Sequence, residues 1–352
     1  MLERTDIKSM TSSEIKQAVL EMGLPSFRAG QIYKWLQVSG VKSFDEMTDL
    51  SKELRAVLSE RFEIYSCDVE KKQVSSGGTV KYLFRLHDGR CIESVLMKYK
   101  YGYSICVSTQ VGCKMGCAFC ASHLGGFIRS LTASEILSQI HSAQSDTGIR
   151  ISHVVLMGMG EPLDNFDNVM RFLELVGDDN GLNIGMRNIS LSTCGIVPKI
   201  YELMQKKLQL TLSISIHAPN DEIRSKIMPI NKKYGTEELL RACREYMKTT
   251  NRKIYFEYTM LKGINDSADC ARILASRLKN ILCHVNLIPA NEFGESPFKR
   301  SDPETTEQFA QILRSHGVGV TVRRSLGGDI DASCGLLRLR SAGDKTRSGR
   351  DQ

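Results

Sequence analysis

From residue 103 onward the chain alternates between two hydrophobic rhythms. YSICVST, SHVVLMG, NISLST, LTLSISIH, KIYFEYTML, CHVNLIP and VGVTVRR are short apolar stretches that read as strands. Between them lie TASEILSQIHSAQ, NFDNVMRFLELV, TEELLRACREYMK, SADCARILASRLK and PETTEQFAQILRSHG, whose apolar residues recur at helical spacing. Repeated β-α units imply a parallel sheet with helices outside. Six or so repeats predict an α/β chain with a partial (β/α)6 barrel of the TIM type. Such barrels present their chemistry at the C-terminal ends of the strands.

The segments before that point have another character. TSSEIKQAVLEM, with Ser13 as the expected N-cap, FRAGQIYKWLQ and SKELRAVLSERF predict a small helical unit over residues 1–62. Arg28 and Lys34 lie among aromatic residues there, which suits either a nucleic-acid contact or a solvated face. VEKKQVSSGGTVKYLFRLHDGRCIESVLMKY alternates apolar and polar residues, with turn signals at Ser76-Gly77-Gly78 and Asp88-Gly89. This predicts an antiparallel hairpin or meander over 63–98, ahead of a barrel over 99–330. Residues 331–340 form a glycine-flanked loop, and the basic tail 341–352 is expected to be disordered.

Composition narrows the classes. The 352 residues are 41% apolar and 25% charged, as in soluble globular proteins. No run reaches the length of a membrane span, and the charged N-terminus lacks a signal-peptide core, so a cytoplasmic protein is expected. Eleven cysteines in a reducing compartment point to metal binding or catalysis before a disulfide framework. The net charge of +7 fits an RNA partner without requiring one.

The cysteines concentrate in CKMGCAFC, where Cys113, Cys117 and Cys120 follow the first barrel strand. A structural zinc site closes with four ligands. Three thiolates in a tight loop suit an iron–sulfur cluster with one iron left open, or a zinc knuckle completed from a distance. MGMGEP follows the second strand and brings Gly160 and Glu161 to its end. Ser192 ends NISLST; Ser215, Ile216 and His217 end LTLSISIH; Asn291 follows CHVNLIP. Each alone is an ordinary loop residue, but together they occupy successive strand ends where a ligand would lie. Six cysteines, at 67, 91, 194, 243, 270 and 283, sit in apolar or helical patterns and read as packing residues. Cys334, in GGDIDASCG, does not fit that description.

The loop C-x3-C-x-aromatic-C, with Phe119 as its aromatic, resembles the radical S-adenosylmethionine (SAM) signature. STQVGCKMGCAFC, MGMGEP, LSTCGIVP, SIHAPND, MPINKKY, MLKGINDS, NLIP and GGDIDASCG, in this order, resemble the RlmN/Cfr family of RNA-adenosine methyl synthases over residues 20 to 337. The resemblance implies a radical SAM barrel carrying one 4Fe-4S cluster on Cys113, Cys117 and Cys120. It implies SAM contacts from Gly160, Glu161, Ser192, Ser215, Ile216, His217 and Asn291, with two SAM used per turnover. By the same resemblance Cys334 carries a methyl group, Cys106 resolves the RNA–protein adduct through a transient Cys106–Cys334 disulfide, and Glu93 accepts the ring proton.

The implied partners are 23S rRNA, tRNA and a flavodoxin-like one-electron reductant, acting on a monomer without a membrane. A flipped or loop adenine is the cheaper target to extract. Lys71, Lys72, Lys98, Lys100, Arg323 and Arg324 join Arg28 and Lys34 as candidate phosphate contacts. HAPND and VRRSLGGDIDA favour the RlmN branch and C2 methylation over Cfr-type C8 methylation. A zinc-stabilised RNA-binding protein without catalysis is the reading from another class. His123 departs from the family pattern and is not assigned as a ligand.

Overall fold

The computed structural model describes residues 4–290, 297–323 and 330. Strand β1 (Thr5–Asp6) precedes three helices, α1 (Ser12–Glu21), α2 (Phe27–Lys34) and α3 (Lys52–Arg61), and pairs with β2 (Phe62–Glu63). The cap of α1 is Thr11, not Ser13. Thr11 stands three residues before Glu14, whose carboxylate accepts the Thr11 N–H at 2.7 Å, so the reciprocal capping box forms there. After α2 a π-helical turn over Trp35–Ser39 ends on Gly40 at φ +68°. A Cβ on Gly40 would lie 2.6 Å from the His141 ring, so glycine lets this turn rest on the barrel's first helix.

Strands β3 (Cys67–Val74), β4 (Val80–Leu86) and β5 (Cys91–Tyr99) form the expected meander, turning at Gly78 and Gly89. It is no separate appendage. β5 pairs antiparallel with β6 (Gly102–Cys106), and β6 opens the parallel series. Short strands β7 (Gln110–Gly112) and β8 (Phe127–Ser130) pair as a ribbon that brackets the cysteine loop.

Helix α4 (Ala133–Thr147) leads to β9 (His153–Leu156), α5 (Phe166–Gly177) to β10 (Ile189–Thr193), and α6 (Val197–Gln205) to β11 (Thr211–Ser215). Then come α7 (Asp221–Ile227), α8 (Thr236–Thr250), β12 (Ile254–Met260), α9 (Ala268–Leu278), β13 (Cys283–Pro289), α10 (Pro303–Ser315) and β14 (Gly319–Val322). The ten-stranded sheet runs β14-β13-β12-β11-β10-β9-β6-β5-β4-β3, parallel from β6 onward, with β14 and β3 as its edges. The barrel is therefore open, as expected for a partial one.

Register explains why the strands look as they do in sequence. Pairing aligns Ser192 with Ser213, Ser215 with Glu257, and Glu257 with Asn286, so these polar side chains share the inner face. Leu191, Leu212, Ile214, Phe256 and Leu287 alternate to the outer face and are fully buried. Each such burial contributes roughly 1.5–3 kcal/mol. One contiguous core runs from Ile7 and Tyr33 of the N-terminal unit through the sheet to Leu313 of α10. Polar ties reinforce the junction: Arg171 of α5 meets Glu14 at 2.8 Å, and Tyr33 donates to Asp178 at 2.8 Å. No helix among the described residues is long and apolar enough to cross a membrane.

Candidate active site

The loop between β7 and β8 carries Cys113, Cys117 and Cys120. Gly112, at φ +82°, packs against the Gly126 carbonyl where any Cβ would sit, which holds the loop's two ends together. The Ala118 N–H donates to the Ile227 carbonyl at 2.9 Å, and the Phe119 ring meets His217 edge-on at 4.8 Å. The three cysteines line one cavity of about 300 Å³, together with Gly160, Glu161, Ser192, Ser215 and His217. That is the lower end of the range for small-molecule sites. Sequence therefore placed eight of its residues around one space.

Burial pushes the Cys113 thiol up to about 12 and Cys117 higher still, with the neighbouring cysteines adding repulsion. A donor set this costly to ionise calls for a cation to offset it. Among the described residues, no three His, Cys, Asp or Glu side chains are grouped to hold a single metal ion. Three thiols from one eight-residue loop lining a shared cavity suit an iron–sulfur cluster.

Backbone approach shapes the opposite wall. A Cβ on Gly158 would lie 2.6 Å from the Val107 carbonyl, and one on Gly160, at φ +107°, would lie 2.7 Å from the Gln110 side chain. Glu161 is buried, and its carboxylate ties two strand ends together. Its Oε2 accepts the Cys194 N–H at 2.7 Å and its Oε1 the Leu163 N–H at 3.0 Å. Burial raises its carboxyl above the usual range, opposed by these amide donors. Cys194 is buried as expected, but it also lines the cavity.

Ser192 and Ser215 bring their hydroxyls within 3.5 Å of each other. His217 sits at φ +49°, and its Nδ1 accepts the Thr259 N–H at 3.0 Å. Burial drives its pKa down to about 3, with Arg224 adding to the effect, so the ring is neutral and its proton sits on Nε2. Ile216 is buried outside the lining; its N–H donates to the Glu257 carbonyl at 3.2 Å. The fully buried Arg224 donates to the carbonyls of Cys194 at 2.7 Å, Ile216 at 3.1 Å and Ser215 at 3.2 Å. It thereby fixes the loops after β10 and β11.

Cys106 and Glu93 stand beside this cavity without lining it. Cys106 pairs with Val95 of β5 and Val155 of β9, on the sheet face shared by Ser192, Ser215 and Glu257. Glu93 lies on that same face of β5, 3% exposed, with Lys81 Nζ at 2.9 Å from its Oε2. The Ser108 hydroxyl donates to the Glu93 carbonyl at 2.6 Å and accepts the Met159 N–H at 3.0 Å, which ties Glu93's strand to the MGMGEP loop. Asn291 and Cys334 lie outside the described residues.

Sequence reasoning missed Lys81, Arg224 and Glu257. Glu257 lines the cavity, accepts from Asn286 at 2.9 Å, and lies 3.7 Å from Arg323. Burial raises its carboxyl, with Arg323 opposing. Arg323 thus faces the cavity as well as being a candidate phosphate contact, while Arg324 lies outside the described residues. Lys34, Lys71, Lys98 and Lys100 are exposed; Arg28 is half-buried against Phe27; Lys72 pairs with Asp146 at 2.7 Å. The Nδ1 of His123 lies against the Cys120 carbonyl.

An open parallel barrel with a three-cysteine loop at its mouth defines a radical SAM protein, and the radical SAM superfamily model matches residues 107–272. The model of the ribosomal RNA large subunit methyltransferase N-terminal domain matches residues 5–64. A probable dual-specificity RNA methyltransferase RlmN of Desulforamulus reducens is 53% identical over 96% of this chain and 97% of its own. Its counterpart from Bacillus licheniformis is 49% identical over 98% and 96%. The crystal structure of a radical SAM methyltransferase from Sphaerobacter thermophilus superposes with a TM-score of 0.90 at 41% identity, covering 94% of this chain and 98% of that one. The chain belongs to the RlmN family of radical SAM RNA methyltransferases, which use a 4Fe-4S cluster and SAM.

Proposed function

We propose that this enzyme methylates C2 of adenosine in 23S rRNA and in tRNA, at the adenosine 3′ of the anticodon in the latter. The observation that carries the reading is the gathering of Cys113, Cys117, Cys120, Gly160, Glu161, Ser192, Ser215 and His217 around one cavity, in a chain whose relatives bear the dual-specificity RNA methyltransferase name. Cys113, Cys117 and Cys120 would hold the 4Fe-4S cluster, which would supply the electron for homolytic cleavage of SAM. Glu161 anchors the loop that receives the amino end of SAM. Ser192, Ser215, the His217 Nε2–H and Asn291 offer polar contacts to the rest of the molecule.

An adenine C2 is neither acidic nor nucleophilic, so polar methyl transfer to it is unfavourable. On the family resemblance, Cys334 takes the methyl group first, by displacement from one SAM. After hydrogen abstraction from the S-methyl group, its carbon joins the ring. That addition leaves one unpaired electron on the adduct. Glu93 accepts the ring proton, the Cys106 thiolate attacks the Cys334 sulfur, and the S–CH2 bond breaks with its pair on the methylene carbon, which takes up a proton to become the methyl group. The unpaired electron leaves on the Cys106–Cys334 disulfide, which one further electron from the external donor returns to two thiols. A flavodoxin-like donor, a monomeric state and a cytoplasmic setting complete the proposal.

Mass spectrometry of nucleosides from rRNA and tRNA fragments tests it. 2-Methyladenosine in both is expected; 8-methyladenosine would overturn the C2 assignment. Cys106→Ala should trap RNA covalently on the protein, and free turnover by that variant would remove its resolving role.

A further inference from the structure

We propose that Lys81 is a positioning residue for proton removal: its ammonium holds Glu93 in the ionised, aimed state that accepting a proton requires. The inference rests on the assignment of Glu93 as the proton acceptor.

The geometry is specific. The β4–β5 register sets Lys81 opposite Val95 and Leu83 opposite Glu93, and the β5–β6 register sets Val95 opposite Cys106. Lys81, Val95 and Cys106 thus form one row across three strands, on the inner face of the sheet. Glu93 lies diagonally from both Lys81 and Cys106. Lys81 is 0% exposed, and its Nζ sits 2.9 Å from the Glu93 Oε2. Leu83 and Val95 beside them are buried and apolar. A buried ion pair is a poor means of stabilising a sheet, because apolar residues of like volume do as well or better. A lysine with its whole stem buried next to a carboxylate, one strand from a thiol, is better explained by what that carboxylate must do.

A buried carboxylate without a cation favours its neutral form. A neutral acid cannot accept the proton. In the step itself the C2–H bond breaks, its electron pair stays with the adduct, and an O–H bond forms on Glu93. Lys81 neither gains nor loses a proton. Its unchanged charge then favours release of that proton to solvent, resetting the carboxylate.

The full-length enzyme with its cluster, SAM and an rRNA fragment provides the test. Gel analysis follows the covalent RNA–protein adduct, and chromatography follows 5′-deoxyadenosine and methylated RNA. Glu93→Gln and Lys81→Met should both accumulate adduct and slow RNA release by on the order of 10²-fold, with first-turnover 5′-deoxyadenosine retained. Lys81→Arg, which keeps the charge, should restore most release. Lys81→Gln, which keeps a donor but no charge, serves where Lys81→Met does not fold. Infrared difference spectra supply a readout without RNA or SAM: Lys81→Gln should gain a protonated-acid carbonyl band that disappears on adding Glu93→Gln. If Glu93→Gln traps adduct while the Lys81 variants release RNA at the wild-type rate, or the acid band is missing, the role of Lys81 falls alone. If Glu93→Gln itself releases RNA normally, the assignment of Glu93 falls and takes this inference with it.

Discussion

Replacing His141 with Gln should flatten the acid side of the stability profile. His141 lies buried on α4, where its Nε2 meets the Gln37 carbonyl at 3.0 Å and the Gly40 turn covers the ring. Its Nδ1 has no hydrogen-bond partner among the described residues. Burial, with the Lys8 charge adding, pushes its pKa from 6.5 down to about 3. A histidine depressed in the folded state contributes stability above its unfolded value and loses it as pH falls through that value. Between pH 7 and pH 5 the unfolded chain takes up the proton while the folded chain does not, which removes about 2 kcal/mol. Lys8, lowered to about 8 by burial, stays protonated throughout that window and adds no slope. His217 is likewise lowered to about 3, but it is present in both proteins and cancels in the comparison. Anaerobic urea unfolding at the two pH values measures the difference. Wild type should lose about 2 kcal/mol more than His141→Gln between pH 7 and 5. Equal losses would mean that the ring is not held neutral, and the argument from burial would fail.

Two further outcomes follow from the walls of the cavity. Gly158→Ala places a methyl 2.6 Å from the Val107 carbonyl and 2.7 Å from the Ser108 nitrogen, both backbone atoms that cannot swing away. It should cost about 1–3 kcal/mol and weaken SAM binding in calorimetry, whereas Gly185→Ala, with open space around it, should leave binding unchanged. Arg224→Met removes the donor to the carbonyls of Cys194 and Ser215 and to the Asn231 Oδ1, while the Ile216 carbonyl keeps the Ala218 N–H at 2.7 Å; each buried acceptor left unpaired costs about 1–3 kcal/mol. Denaturant unfolding should show a loss above about 3 kcal/mol, with Arg224→Lys recovering part of it.

Much of the barrel was legible because its strands carry two messages at once. In LTLSISIH the residues Leu212 and Ile214 point to the helices while Ser213 and Ser215 point inward, so a parallel strand shows both its burial and its site. The cysteine loop and MGMGEP were legible because tight spacing and glycine leave a mark in the primary sequence. Helices α6 and α7 were not anticipated; one is nine residues long and opens with proline near its start, the other has seven residues capped by Asn220. Lys81 and Glu93 belong to different strands, and only the register across the Asp88-Gly89 turn reveals their contact. Arg224 looks like any surface arginine on a short helix until the carbonyls around it are seen. Thr11 caps α1 where Ser13 was expected, because the reciprocal bond needs a glutamate three residues on, and Glu14 stands at that distance from Thr11.

The shared interior of the N-terminal helices and the barrel has a practical consequence. Ile15, Ile32, Tyr33 and Leu36 pack into the same apolar mass as Ile140 and Phe172. Trimming the chain at residue 63 would strip a greasy flank bare and yield an insoluble stump, not a minimal catalyst. Grafting this leader onto another enzyme would demand a matching surface on the recipient. Evolution could diversify its outward residues freely only while the inward ones stayed fitted to α4 and α5.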